Sequence, residues 1–439
     1  MNDSVRPPAP GARLSPRDAE RLRIQVGVIR KAMKHKIGTG PVKGSVPPRD
    51  DEAHYLFRAG HALVREKDAA RIDRFFAARG KEFRGGLVRK ETRMPGLTLV
   101  ALPQRLDGRD DVLATLDELD RELGPGLVTP DHVVYVTPTG TLCPATEPIA
   151  GKDLPDAVFP PPSCDPAVGK GVRVGVVDTG MWMPAVTSPV TPWLDGVVAD
   201  PADQEVVDPA DIHPYAGHGT FVAGVVRCLA PGTRIEVEGV LTHGGAVFES
   251  DIVAQLDEAL RDDDHPQLIS ISAGTHTRRD FALLAFEILA AAHGLDDGEE
   301  TLVIAAAGND ASSDRFWPAA FPWVVSVGSV DPDGAVSDYS NVGTSWVDVY
   351  ARGRDLVNAF PQGTYTCYEP PHLGEVREFD GLARWSGTSF ATPVVTGLVA
   401  ARMSATGEPA RTAWAAVHAA GTPSVDPRGG HITTVGPLT

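Results

Sequence analysis

The chain has 439 residues, is 42% hydrophobic, carries a formal net charge of −17 and contains four cysteines. That length supports two or three domains around a sizeable core. No window of about 18 consecutive apolar residues occurs, which argues against a membrane-spanning helix, and no RNA- or DNA-binding motif accompanies the basic residues.

In chain order, Ser15-Pro-Arg-Asp-Ala-Glu opens an expected helix running to about Lys36, and Gly38 to Pro48 reads as a linker. Asp50 to Arg79 reads as a second helical stretch or pair, with Tyr55, Leu56, Leu63, Ile72, Phe75 and Phe76 as its apolar face. Leu97 to Leu102 is strand-like. Asp110 to Leu123 is helical, with Val112, Leu113, Leu116, Leu119 and Leu123 on one face, and His132 to Thr137 is strand-like again. A Pro-rich linker follows, from Pro138 to Pro166. Residues 1–150 hold 25 Lys and Arg against 20 Asp and Glu, a net +5, whereas the remainder holds 16 against 38, a net −22. A basic N-terminal part joined to an acidic remainder suggests that the two dock, although a basic face that simply stays solvated fits the same numbers.

Beyond the linker, four short contexts carry residues suited to nucleophilic chemistry. Val172 to Val177 reads as a buried parallel strand ending at Asp178, the edge where open α/β sheets place ligands. A carboxylate there can orient an imidazole, or it can be a turn or cap residue before Thr179-Gly180. His218 lies between Gly217 and Gly219 and opens an apolar helix, where it can be a base or a core histidine. Leu302 to Ala307 is a strand leading to Asn309, whose amide can donate to an oxyanion or close a Gly-Asn-Asp turn. Ser389 begins the helix Phe390 to Met403, with Pro393 in its first turns. There it can be a nucleophile whose own N–H helps bind an oxyanion, or a plain N-cap. Each bland alternative is respectable alone; their joint occurrence in one chain is not.

Val-Gly-Val-Val-Asp-Thr-Gly around Asp178, Gly-His-Gly-Thr-Phe-Val-Ala-Gly around His218, Ala-Ala-Ala-Gly-Asn ending at Asn309 and Ser-Gly-Thr-Ser-Phe-Ala-Thr-Pro around Ser389 together resemble the subtilisin-like (subtilase) serine endopeptidases. The likeness extends over roughly residues 168 to 422. It implies an α/β fold: a three-layer catalytic domain with a mainly parallel central sheet flanked by helices, preceded by a smaller helical plus α+β N-terminal region. It also implies a catalytic triad of Asp178, His218 and Ser389, with Asn309 in the oxyanion hole. Ile269 to Gly274 resembles the wall of the primary specificity pocket, making Ser272, Ala273 and Gly274 candidate substrate contacts. Val240 to Val247 resembles the edge that pairs with extended substrate, adding Gly244 and Gly245. Strand, helix and strand over residues 81–140 resemble the family's propeptide domain. The expected organisation is a helical extension of unknown role (1–80), a propeptide-like domain (81–140), a linker (141–167), the catalytic domain (168–422) and a C-terminal tail (423–439).

The expected function is peptide-bond hydrolysis through an acyl-enzyme, regulated or autoprocessed through the N-terminal region. The alternatives are a dedicated intracellular processing protease for one partner or modified peptide precursor, and a peptide-binding pseudoprotease, which an intact triad argues against. The expected partners are a peptide or protein substrate and the chain's own docked N-terminal region, with no nucleic acid and no membrane. No cofactor or metal is expected, since no aspartate-rich calcium loop stands out and Asp331-Pro-Asp-Gly reads as a turn. Asp310 and Asp314 lean the specificity toward basic or neutral substrates. Residues 358–384, with Tyr365, Cys367 and Tyr368, exceed a minimal member of the family and are expected as a loop near Ser389, and Arg352 interrupts a usual Ala-Pro-Gly. Met1 to Gly40 lacks the apolar core of a signal peptide, so the expected location is cytoplasmic, with secretion by a non-standard route as the alternative. Cys143, Cys164, Cys228 and Cys367 show no metal spacing; free thiols fit a reducing compartment, and a Cys143–Cys164 or Cys164–Cys367 bridge remains open.

Overall fold

The computed structural model describes residues 16–41, 53–107, 112–136, 146–150, 158–241, 244–297 and 299–439. The first of two modules contains α1 (Pro16–Ala32), β1 (Ile37–Gly40), β2 (Tyr55–Arg65), α2 (Ala69–Ala77), β3 (Phe83–Arg84), β4 (Val88–Glu91), β5 (Leu97–Ala101), β6 (Gln104–Arg105), α3 (Val112–Leu123) and β7 (Val128–Tyr135). Strands β7, β2, β5 and β4 lie side by side in an antiparallel sheet, with β1 also on β2. Helices α2 and α3 cover one face through Ile72, Phe75, Phe76, Leu116 and Leu119.

The stretch 50–79, expected as helical, is corrected: it holds an 11-residue strand before the short helix α2. The reason is a bulge. Strand register shifts between Phe57 and Ala62, where Gly60 takes φ +72°. Tyr55 and Phe57 face the helices before the bulge, Ala62 and Val64 after it, so the two-residue alternation is broken mid-strand. The broken period mimics a helical one.

The second module begins with β8 (Arg173–Val177) and α4 (His218–Leu229), followed by β9 (Arg234–Glu238), β10 (Ala246–Phe248), α5 (Glu249–Arg261) and β11 (Leu268–Ile271). Next come α6 (Leu284–His293), β12 (Leu302–Ala306), β13 (Val325–Val330), β14 (Val349–Arg352), β15 (Leu356–Thr366) and β16 (Val376–Trp385). The chain closes with α7 (Thr388–Thr406), α8 (Ala410–Ala419), β17 (Thr422–Asp426) and β18 (Gly430–Thr434). The central sheet runs β9-β8-β11-β12-β13-β14-β18-β17, parallel throughout except for β17 on β18. Alternate strand residues feed opposite layers. Val174, Val176, Leu302 and Ile304 pack with α4 and α7, while Ile269, Ile271, Val303 and Ala305 pack with α5 and α6. This is the expected three-layer α/β architecture.

Two expectations change here. The long insertion is no loop but the β15–β16 hairpin, and the segment expected as a tail forms β17 and β18 at the sheet edge. Cys164, Cys228 and Cys367 are free, which removes a Cys164–Cys367 bridge; Cys143 and most of the expected linker lie outside the described residues. Arg352 stacks on Phe159, 3.8 Å from its ring centre, and donates to the Leu438 carbonyl at 2.8 Å.

The modules dock along one edge. Strand β7 pairs antiparallel with β10, so the N-terminal sheet continues into the second module. Leu63, Leu97, Leu99 and Val134 pack with Ile252, Val253 and Leu256 of α5 and Leu284 and Ile288 of α6. Basic residues on the N-terminal side meet acidic ones across the seam: Arg58–Asp251 at 3.0 Å, Arg65–Glu287 at 2.6 Å and Arg93–Glu258 at 3.2 Å. Arg278 and Asp120, 2.8 Å apart, reverse the polarity. Asp131 accepts from both the N–H and the hydroxyl of Ser250 at 3.0 Å, at the start of α5, where the helix dipole favours a carboxylate.

Candidate active site

Asp178 follows β8, Ser272 follows β11 and Asn309 follows β12, so three loops converge at the carboxyl edge of adjacent parallel strands. His218 is the first residue of α4, and Ser389 lies in the first turn of α7. Apolar faces bury both helices, which fixes the two side chains over that edge. Asp178, His218 and Asn309 are 0% exposed and Ser389 1%.

The Asp178–His218 pair is assembled. Asp178 Oδ1 accepts from His218 Nδ1 at 2.7 Å and from the Thr179 N–H at 2.7 Å. That bond places the ring proton on Nδ1 and leaves Nε2 with its lone pair. Among the described residues Nε2 has no hydrogen-bond partner. Trp385 and Phe390 hold the ring, at 5.5 and 5.2 Å between centroids. Gly219 permits the approach of the Asp178 loop, since a Cβ there would stand 3.2 Å from both Asp178 Cβ and the Gly180 nitrogen.

Ser389 is laced to its surroundings differently. Its hydroxyl points to the Ser272 carbonyl at 3.4 Å, and the Ser272 hydroxyl donates to the Ser389 carbonyl at 2.8 Å. Asn309 Oδ1 accepts from the Thr388 N–H at 2.8 Å, and this bond identifies the oxygen end of the amide and turns the NH2 away from that peptide. The Thr388 hydroxyl accepts from the Gly308 N–H at 3.2 Å. Asn309 and Ser389 are therefore tied through one residue.

The candidate substrate contacts hold the chain's own tail. Tyr135 and Gly274 exchange two backbone hydrogen bonds of 3.0 Å, and the Val136 N–H donates to the Gly245 carbonyl at 2.9 Å. Tyr135 thus sits between Ala246 on one side and Gly274 on the other, as the middle strand of three. Gly244 lies beneath α1, where a Cβ would stand 2.7 Å from that of Ala32. Ala273 is buried in the core behind the wall. Helix α1 is further anchored by Arg21, whose Nε donates to Glu369 at 3.0 Å, and by Gln25, which reaches the same carboxylate at 2.8 Å.

Glu205, which the sequence reading passed over, is buried beside this site. Its carboxylate accepts from the Gly217 N–H at 2.7 Å, steadying the backbone that presents His218. Burial, then the neighbouring Asp178 charge, pushes its pKa well above the usual carboxylate range. No short motif surrounds it, so only the folded chain reveals it. Asp310, expected to attract basic substrates, is instead engaged by His276 at 3.1 Å and by Asn341 at 3.2 Å. Among the described residues no group of three or more His, Cys, Asp or Glu side chains is arranged to hold a metal ion, and no helix is long and apolar enough to cross a membrane.

Residues 169–428 match the model of the subtilase family, Peptidase S8, and the chain belongs to that family. It is 32% identical over 244 residues to the thermophilic serine proteinase of Bacillus sp. (strain AK1), covering 52% of this chain and 51% of the relative. It is 28% identical over 248 residues to the intracellular serine protease of Paenibacillus polymyxa, covering 53% of this chain and 66% of that one. The chain therefore spans about half to two-thirds of these relatives. A solved structure of the prenylagaramide maturation protease PagA is 26% identical, with 59% of this chain and 85% of that chain covered and a TM-score of 0.46.

Proposed function

We propose that this chain is a serine endopeptidase held latent by its own N-terminal region. The observation that carries the reading is the buried Asp178–His218 pair, with Nε2 unpartnered, beside a serine at a helix N-terminus. On this reading Ser389 attacks a peptide carbonyl while His218 Nε2 takes its proton and returns it to the leaving amine. Asp178 holds the tautomer and stabilises the imidazolium. The Asn309 amide and the Ser389 N–H receive the developing oxyanion, helped by the positive end of α7. An acyl-enzyme forms and water releases it.

Latency follows from the pairing of Tyr135 and Val136 with Gly274 and Gly245. Those backbone groups are the ones an extended substrate would use, so tail and substrate compete for them. Helix α1 adds a second restraint, because its Leu22, Val26 and Ile29 pack over Val133 and Tyr135. The test is the intact mass of the purified wild-type chain beside Ser389→Ala. Loss of N-terminal mass in the wild type alone identifies autoprocessing. Full length in both, with peptide hydrolysis by the wild type only, identifies a permanent regulatory region. No hydrolysis by either, with Ser389 inert to a fluorophosphonate even when Arg21→Glu breaks the ion pair to Glu369 and loosens the N-terminal region, contradicts the reading.

A further inference from the structure

Strands β11 and β12 are parallel neighbours, with Leu268 beside Leu302 and Ile271 beside Ala305. Beyond their carboxyl ends the chain continues as 272–274 on one side and 307–309 on the other. Gly274 and Gly308 stand on the two sides, and neither contributes a side chain to the slot between them. On the serine endopeptidase reading, a side chain of the substrate would enter between these two walls beside Ser389. The slot is already part-filled from within. Phe316 enters it, and its Cδ1 lies 2.7 Å from where a Cβ on Gly274 would be and 3.0 Å from where one on Gly308 would be. One ring edge is thus wedged between both walls, and Phe316 is only 2% exposed.

The ring is braced. Trp317 and Thr275 exchange backbone hydrogen bonds of 2.8 and 2.9 Å, which fixes the chain at Phe316. The imidazole of His276 packs edge-on at 5.3 Å, itself held by Asp310 at 3.1 Å and by the Arg315 carbonyl at 3.0 Å. The ring cannot swing aside without breaking this set. The docked tail supplies the register. Tyr135 lies antiparallel to Gly274, so a strand in that register brings the position two residues further on opposite Ser272, whose carbonyl faces the Ser389 hydroxyl. The side chain at that position has the slot beside it.

We propose that Phe316 is the specificity-determining residue of this site: by filling the deep part of the slot it restricts the residue on the acyl side of the scissile bond to Gly, Ala, Ser or Thr. Large aliphatic and aromatic side chains meet the ring edge and are rejected. A packed interior resists overfilling, and one unaccommodated methylene changes kcat/KM by roughly 10–200-fold. The proposal rests on the serine endopeptidase reading.

The test uses the full chain and chromogenic peptides that differ only in the last residue before the scissile bond, Ala, Leu or Phe. Tail docking scales every substrate by the same competent fraction, so the kcat/KM ratios are independent of latency. The wild type should favour Ala over Phe by roughly 100-fold or more. Phe316→Ala should shift that ratio toward Phe by at least tenfold, and Phe316→Leu, which keeps more of the packing, should shift it in the same direction by less. A wild type that cleaves after Phe as readily as after Ala overturns the proposal, as do variants whose ratio equals the wild type's. A fluorophosphonate, which carries no such side chain, separates the causes. Ser389 labelled without hydrolysis of the Ala peptide counts against the small-residue pocket alone. Ser389 unlabelled in the wild type and both variants, even after Arg21→Glu breaks the ion pair to Glu369 and loosens the N-terminal region, removes the endopeptidase reading, and the proposal with it.

Discussion

Ser389 and Ser272 hold one another across the site: the Ser389 hydroxyl faces the Ser272 carbonyl at 3.4 Å, and the Ser272 hydroxyl donates to the Ser389 carbonyl at 2.8 Å. The Ser389 hydroxyl therefore lies beside the 272–274 segment, while among the described residues His218 Nε2 has no hydrogen-bond partner. On the serine endopeptidase reading His218 is a base already in place, and alignment of the serine belongs to the substrate complex.

Asp178→Asn is expected to lower kcat by roughly 10⁴-fold with little change in KM. An amide there can donate to Nδ1 and so stabilise the wrong imidazole tautomer, with the fold intact. Steady-state kinetics beside circular dichroism check this; a loss below about tenfold would argue that His218 is oriented by other groups.

Asn309→Ala is expected to lower kcat by roughly 10²–10³-fold, the usual effect of deleting one oxyanion donor. Because Asn309 Oδ1 also holds the Thr388 N–H, some stability is lost too, roughly 1 kcal/mol for one hydrogen bond. Asn309→Asp keeps that acceptor and removes the donor. It should therefore be about as impaired in kcat yet closer to wild type in thermal unfolding.

Helix α1 should be released by charge reversal at one residue. Arg21 and Glu369 are both buried, and unpairing such an ion pair costs about 3–5 kcal/mol. Arg21→Glu in a Ser389→Ala background is expected to lose hydrogen-exchange protection over residues 16–41 by 100-fold or more. Adding Glu369→Arg should restore much of it, because the pair is re-formed with opposite polarity. Equal protection in all three proteins would show that α1 is held by its apolar face alone.

Docking should also answer to pH through His54, which stacks on His276 at 4.3 Å between centroids. Burial first, then the adjacent His276, holds the His54 pKa well below its ordinary value near 6.5. Burial opposes protonation of His276 as well, but Asp310 and the Arg315 carbonyl outweigh it and raise that ring's pKa. Docked His54 is neutral, so its contribution is complete above about pH 6.5 and fades as pH falls below it. Burial raises Asp131 to about 7 and Glu249 to about 8, and these groups act in the opposite direction. Comparison with His54→Leu cancels them. In the Ser389→Ala background, hydrogen exchange of β1 and β2 between pH 7.5 and 5 should accelerate more in His54 chains than in His54→Leu chains, by up to roughly tenfold per pH unit. Parallel profiles would exclude His54 as the responsive group.

Much of the candidate site was legible because its contexts are local. Strand, Asp178, glycine turn; Gly217, His218, apolar helix; Thr388, Ser389, apolar helix: each needs only adjacent residues, and the fold brings Asp178 and His218 into contact as expected. What escaped was non-local. Glu205 acts through the Gly217 N–H, 12 positions away in the chain, and has no motif of its own. The bulge at Gly60 reversed the alternation of β2 and hid a strand. The β15–β16 hairpin is cross-stitched by pairing that composition does not show. The charge difference between the two parts did foreshadow Arg58, Arg65 and Arg93 meeting Asp251, Glu287 and Glu258, although no sum of charges names those partners.

Covalent labelling tests the central claim most directly. The full chain, wild type and with Arg21→Glu to loosen the N-terminal region, is treated with a fluorophosphonate, and the modified peptide is located by mass spectrometry. The account predicts one adduct, on Ser389, forming faster with Arg21→Glu and absent from His218→Ala. An unlabelled Ser389 in the natively folded Arg21→Glu chain, or labelling that persists undiminished without His218, would contradict it.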